Sequence, residues 1–357
     1  DKTSEAATAF VRAHQELFAA REIALDQRIL GFEKIYQQWR PFRWAWMFYA
    51  FVILAGFIVV LGAKFFKKVS AFSNSGLVSG VIAGGFLLAF LTHSAGFYLR
   101  CSIAGRPPVT NMYESVVWVS WGVCLFSLIL FAFYRSRVFL FSAASVATLA
   151  LAIAESFPAV LDPSISPLVP VLRSNLWLTI HVLTITLSYG AFALAWGLGH
   201  WVIIRFAFAP QEQNQNRLLA QYLYRAVQIG VILLAAGTVL GGVWANYSWG
   251  RFWGWDPKET WALIALLGYL MVLHGRFSGW LDIFGLAVGV VVAFAGIVMA
   301  WYGVNYVLAA GLHSYGFGGG GYGYVFGAVI LDLLLIAWMR QIYRSKKYSA
   351  PVPKVPG

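Results

Sequence analysis

The chain has 357 residues, of which 60% are hydrophobic and 11% charged, with a formal net charge of +12. Ordinary soluble domains carry about 25% charged residues, and so large a deficit excludes a water-soluble globule of this length. The basic excess therefore reads as loop charge that orients spanning segments, not as a nucleic-acid surface.

Residues 1–43 differ from everything after them. Phe10, Val11, Leu17, Phe18, Ile23, Leu25, Ile29, Leu30, Phe32 and Ile35 alternate with charges at roughly helical spacing. This pattern predicts a short amphipathic helix or helical hairpin, with His14 on its solvated surface. The chain opens at Asp1 with neither Met nor signal peptide, so we expect it to be part of a longer polypeptide. Nine apolar segments follow, near 44–63, 77–99, 113–133, 138–154, 176–206, 224–243, 260–275, 281–306 and 322–342. Each approaches the roughly 20 residues of a spanning helix. The expected fold is thus an all-α polytopic membrane protein of about nine transmembrane helices, residues 44–357, behind the segment 1–43.

The connecting loops alternate in charge. One side holds Lys64, Lys67, Lys68, Arg135, Arg137, Arg205, Arg217, Arg225, Arg276, Arg340, Arg344, Lys346 and Lys347. The other side holds only Arg100, Arg106, Arg173, Arg251 and Lys258 between spans. Positive loops stay in the cytoplasm, which places residues 1–43 outside and the C-terminus inside.

On the outer side by this scheme, residues 244–261 carry Trp244, Trp249, Trp253, Trp255 and Trp261, interrupted by Gly250 and Gly254. Indoles at a membrane boundary serve as an aromatic belt. Equally, flat rings beside Arg251 and Lys258 suit a large planar anion, and spacing alone leaves both readings open. Asp256 before Pro257 fits the cap of the helix that follows. The outer segments 100–115, 155–174 and 311–323 are further site candidates, the last rich in glycine. Nucleotide chemistry finds no support, since neither GxxxxGK nor a strand-borne GxGxxG occurs. The two cysteines, Cys101 and Cys124, form no CxxC or CxxCH, so a redox dithiol or a c-type attachment site of the chain's own is excluded.

Intramembrane histidines are functional candidates by default. His181 lies shortly after the start of the fifth span and His313 shortly after the eighth, so both share the level of the Trp-rich loop. There they suit a pair of axial metal ligands, or two interface histidines bonded to backbone. His274 lies thirteen residues beyond Trp261, roughly 20 Å deeper at the helical rise. It marks either a second, inner site or a satisfied helix end. His93 and His200 fit helix packing.

The stretch Trp249-Gly-x-x-Trp-Gly-Trp-Asp-Pro-Lys-Glu-Thr-Trp261 resembles the WWD signature of haem-handling proteins in cytochrome c maturation. The blocks 106–115, Trp177–Val182 and Leu273–Arg276 resemble the CcsA (ResC) branch, the membrane cytochrome c synthase. Residues 1–43 resemble the junction that precedes this half in fused CcsB–CcsA polypeptides. The resemblance covers nearly everything from Pro41 onward.

What the resemblance implies is a bacterial cytoplasmic-membrane protein that carries haem b as substrate. His181 and His313 would be the axial ligands of an outer haem, resting on the Trp loop, and His274 a ligand of an inner one. The opposite inner ligand would come from a CcsB/ResB-like partner. The implied activity is that of a holocytochrome c synthase, or haem lyase: haem is presented to the CxxCH of an apocytochrome c whose thiols a reducing pathway maintains. Arg251 and Lys258, ahead of Arg100, Arg106 and Arg173, are candidate propionate partners. Asp256, Glu259 and Glu114 read as supporting residues, not general acids. Two alternatives stand beside this: a haem-delivery WWD protein of the other maturation pathway, and a secondary transporter of an aromatic or anionic solute.

Overall fold

The computed structural model describes residues 5, 8–10, 12–13, 26–65, 76–165, 175–308 and 321–349. Its elements are α1 (Gln27–Trp39), α2 (Pro41–Phe65), α3 (Gly76–Ala104), α4 (Met112–Tyr134), α5 (Arg137–Ser156), α6 (Asn175–Phe208) and α7 (Gln213–Trp249). After these come α8 (Pro257–Phe277), α9 (Ile283–Val298), a π-helix (Met299–Leu308) and α10 (Tyr322–Ser349). Among the described residues nine helices are long and apolar enough to cross a membrane, at the positions expected. A helix satisfies its own backbone groups, which is the condition for crossing lipid. Of the segment 1–43, α1 is the main described part; His14 lies outside the described residues.

The chain marks its helix ends with short polar side chains. Asp26 starts α1 by accepting from Arg28 N at 2.8 Å, Asn111 starts α4 through Glu114 N at 2.7 Å, and Asp282 starts α9 through Gly285 N at 2.6 Å. Arg40 ends α1 in the left-handed region, φ 49°, with Pro41 opening α2 immediately afterwards. One expectation changes: the eighth span is not a uniform α-helix, because its last ten residues wind as π-helix. The apolar pattern cannot reveal this, since it does not distinguish α from π winding over so short a stretch.

Helix α6 is the hub of the bundle, packing against α4, α5, α7, α9 and α10. It also holds a polar clasp. His200 Nε2 lies 2.6 Å from Asp332 Oδ1 on α10, and Trp196 Nε1 donates to Asp332 Oδ2 at 3.0 Å. His200 thus does more than pack: it ties α10 to the central helix α6. His93, by contrast, is fully buried among Phe42, Tyr49 and Phe97, with Nε2 at 3.2 Å from Val117 O.

A second buried network closes one end of the bundle. Glu114 is inaccessible, yet its Oε1 accepts from Arg100 Nε at 2.9 Å and its Oε2 from Arg106 Nη1 at 3.3 Å. Oε2 also accepts from Thr110 N at 2.8 Å and Thr110 Oγ1 at 2.7 Å. Arg100 donates onward to Tyr36 Oη, Pro163 O and Ser164 O. In that 157–165 loop, the Ser164 backbone N–H and hydroxyl hold the Asp162 carboxyl below the usual carboxylate range. One carboxylate therefore joins α1, α3, α4 and this loop.

Removing one partner of a buried ion pair leaves the other uncompensated and costs roughly 3–5 kcal/mol. Glu114→Ala, which strands two guanidiniums, should lower the thermal unfolding midpoint in detergent far more than Glu155→Ala, whose partner Arg43 is well exposed. Equal shifts for the two variants would contradict the role given to Glu114.

Candidate functional site

The Trp-rich stretch is more helical than the sequence suggests. Helix α7 runs on to Trp249 and stops at Gly250, whose φ of 70° carries the chain through the left-handed region that ends helices. Only residues 250–256 form the loop, because α8 begins at Pro257. Trp244 and Trp249 are thus fixed on a helix and Trp261 on the next one.

Asp256 and Glu259 form a capping box that shapes this loop. Asp256 Oδ1 accepts from Lys258 N at 2.9 Å. Glu259 reaches back, with Oε2 accepting from Gly254 N at 2.7 Å and Asp256 N at 3.2 Å. Its other oxygen accepts from Arg251 Nη1 at 3.2 Å. The Arg251 guanidinium lies over the Trp249 ring at 5.8 Å and fills the space beside Gly254, where a Cβ would collide with it. The loop backbone thus finds its partners in one side chain of the helix that it precedes.

Beside the loop is a cavity between α4, α6, α7, α8 and the π-helix. Its interior is about 160 Å³. Pockets for drug-sized ligands span roughly 300–1,000 Å³, so a large planar ligand would lie partly across the mouth. His181, Trp244, Trp253, Arg106 and Lys258 line the cavity. His181 packs parallel to Trp244, centroids 6.1 Å apart and planes 13° from parallel. Its Nδ1 sits 2.8 Å from Gly237 O. A carbonyl only accepts, so Nδ1 carries the proton and Nε2 the lone pair, the tautomer a metal ligand needs. At Gly241 a Cβ would stand 2.6 Å from the imidazole; only glycine admits the ring here.

The indoles do not form a single slab. Trp244 is almost fully buried and meets Trp249 edge-on at 65°, while Trp253 and Trp255 are perpendicular at 5.9 Å. Trp255, at φ 56°, is 69% exposed. Trp249 packs behind Trp244, and Trp261 is half-buried on the first turns of α8. Of the five, Trp244 and Trp253 face the cavity.

The cations also separate. Arg100 belongs to the buried Glu114 network and Arg251 to the loop cap; Arg106 shares Glu114 and also borders the cavity, as Lys258 does. His313 and Arg173 lie outside the described residues. His274 sits in the last turn of α8, exposed, with Nδ1 at 2.8 Å from Leu270 O. Sixteen positions of helix separate it from Lys258, roughly 24 Å at the helical rise, so the two cannot share one ligand.

Sequence reasoning missed Thr186, Tyr189, Trp301 and Asn305, which also line the cavity, whereas Met112 falls in the expected segment 100–115. The only available signal was the repeat Gly237, Gly241 on α7, a small-residue face against which α6 and its histidine pack. Among the described residues no three His, Cys, Asp or Glu side chains converge. A single imidazole with aromatic walls and two cations suits a metal that arrives with its other ligands, in a flat anionic ring.

The family described as "Cytochrome C assembly protein" matches residues 109–313. Protein NrfI of Wolinella succinogenes is 37% identical over 283 residues, covering 74% of this chain and 29% of NrfI. This chain therefore spans less than a third of that relative. The cytochrome c biogenesis protein CcsA of Prochlorococcus marinus (strain MIT 9303) is 35% identical over 289 residues, covering 70% of this chain and 87% of that protein. CcsA of Synechococcus sp. (strain CC9311) is 34% identical over 290 residues, with 70% and 92% covered.

Loss of a helix cap costs about 0.5–2 kcal/mol. Asp256→Ala should therefore speed amide exchange through residues 250–260 by roughly 2- to 30-fold, while the middle of α6 keeps its wild-type protection. Unchanged exchange in that window would show that the capping box does not hold the loop.

Proposed function

The chain belongs to the cytochrome C assembly protein family as a CcsA-type, multi-pass membrane protein of cytochrome c biogenesis, and from this premise we propose that it conducts haem across the membrane and presents it for thioether attachment. The observation that carries the proposal is His181, held in its ligand tautomer inside a cavity with indole walls and two cations.

In this reading the Trp-loop end faces outward, the C-terminus faces the cytoplasm of a bacterium, and residues 1–43 form an extracytoplasmic segment before the haem-handling domain 44–357. Haem, the b-type substrate, enters at His274. That imidazole is exposed on the bundle surface, so the ligand on the other side of the iron comes from a CcsB-like partner, fused or separate. At the outer cavity His181 binds one face of the iron and His313 the other. Trp244 and Trp253 border the porphyrin, with Trp249, Trp255, Trp261, Asp256 and Arg251 shaping the loop around it. Arg106 and Lys258 meet the propionates.

The CxxCH of apocytochrome c, kept reduced by a thiol pathway, then approaches the exposed edge. Each S–H adds across one vinyl group: the sulfur bonds to one vinyl carbon and the hydrogen to the other, with no net oxidation. The incoming histidine takes the place of one of the two outer ligands. What this chain supplies is position, turning an encounter of two large molecules into a nearly intramolecular reaction. No carboxylate is placed as a general acid, since Glu114, Asp256 and Glu259 are all engaged in structure.

His181→Ala should remove outer haem and reduce holocytochrome c to background in a reconstituted host, and His313→Ala should do the same. Normal cytochrome yield in His181→Ala membranes would end the proposal. His274→Ala should lower haem content of the purified protein with its partner, while crosslinking to an apocytochrome CxxCH peptide persists. Transfer of haem to a soluble chaperone, without thioether formation, would favour the delivery reading. A protein that never shows a Soret band would favour a solute transporter.

A further inference from the structure

A second cavity, of about 300 Å³, lies under the elbow between α1 and α2, against α4, α5 and the 157–165 loop. That volume is enough for a small-molecule site, and the haem reading makes no use of it. Its floor is apolar, formed by the buried Phe42, Val117, Leu151 and Ala154. Its rim is polar, with the exposed Arg40 and Arg43 beside Glu155.

The rim carries an excess of positive charge. Glu155 spends both oxygens, one on Arg43 Nε and the other on Trp46 Nε1. Among the described residues the side chain of Arg40 makes no hydrogen bond or ion pair. Behind the wall, Arg100 and Arg106 share the single carboxylate of Glu114, so the excess is not cancelled from that side. The wall also holds a spare donor. The Tyr36 oxygen accepts from Arg100 at 3.3 Å, and the Tyr36 and Tyr113 hydroxyls bond to one another. Two phenols that share one hydrogen bond leave one O–H over, and among the described residues it has no other acceptor. A guanidinium and a phenol side by side suit an anion with two acceptor oxygens, such as a phosphodiester.

The level of the cavity points to the source of that anion. Helix α2 starts at Pro41 and α5 ends at Ser156, each within a span long enough to cross a membrane. The cavity therefore sits where hydrocarbon gives way to headgroups, the layer that basic side chains at helix ends reach for. A free phosphate would leave the apolar floor uncovered. A phospholipid covers the floor with the ester end of its chains while its phosphate stays at the rim.

We propose that this cavity is a phospholipid site, in which Arg40 and the spare phenolic O–H hold the phosphate and the glycerol backbone lies over Phe42 and Leu151. One lipid then bridges the elbow and the end of α5.

The test uses the full chain in detergent, stripped of native lipid, and haem plays no part in it. Modification of each arginine by phenylglyoxal is followed by peptide mass spectrometry. Dioleoylphosphatidylglycerol should slow modification of Arg40 on the order of tenfold, as a charge-assisted hydrogen bond predicts, and leave the exposed Arg28 on the same helix unaffected. Dioleoylglycerol, which lacks the phosphate, and glycerol 3-phosphate, which lacks the chains, should protect neither. Equal protection by dioleoylglycerol overturns phosphate recognition, and protection by glycerol 3-phosphate at the same concentration overturns the lipid assignment. A second readout is lipid retention in native mass spectrometry. Arg40→Gln should weaken retention of phosphatidylglycerol about tenfold, whereas Arg40→Lys, which keeps the charge, should retain most of it. Because Arg40 is exposed, neither substitution disturbs the core. Equal retention by the wild type and Arg40→Gln also overturns the proposal.

Discussion

A carboxyl group without access to water is tolerated only where donors surround it, and Glu114 meets that condition. Arg100, Arg106 and Thr110 all converge on its two oxygens. The energetic logic is one of mutual need: each guanidinium would be costly to bury alone, and so would the acid. Because Asn111 caps α4 within the same network, the direction in which that helix enters the bundle is fixed. Met112 and Ser115 are thereby set along one wall of the cavity. The opposite wall depends on a separate device, the capping box at Asp256 and Glu259. Between these two anchored walls lie His181 and the indoles.

The site uses glycine and tryptophan in complementary ways. Trp244 is buried and flat against His181, so the imidazole cannot rotate freely, while the missing side chain at Gly241 gives it room. The ring nitrogen facing Gly237 is committed to the backbone. In the proposed haem reading such restraint would suit a ligand that is given up later, because orientation comes from the protein and the bond to break is the one to the metal. At the far end of α8, His274 is not enclosed in this way.

Much of this was legible beforehand. Nine apolar stretches and the cap at Asp256 follow from hydropathy and local backbone chemistry, which depend on near neighbours in sequence. The role of the WWD stretch was legible only through its resemblance to a known family. What escaped was set by contacts distant in sequence. Nothing near His200 announces Asp332, which is 132 positions away. The five indoles looked equivalent in one dimension, yet helix α7 turns Trp244 inward while the loop turns Trp255 outward. Likewise Arg251 and Lys258 are both basic loop residues in sequence, and only the fold assigns one to the cap and the other to the cavity.

One joint is shorter than any linker. Between α1 and α2 stands a single residue, Arg40, in the left-handed region, its N–H bonded to Tyr36 O at 3.0 Å and its successor a proline. Three constraints on so few torsions leave a stiff elbow instead of a swivel. Tyr36 in turn receives a hydrogen bond from Arg100, which braces the elbow from below. A force applied to α1 would therefore act as torque on the first span and reach Glu114 with little slack, giving whatever engages α1 a mechanical handle on the cavity wall at Met112 and Ser115.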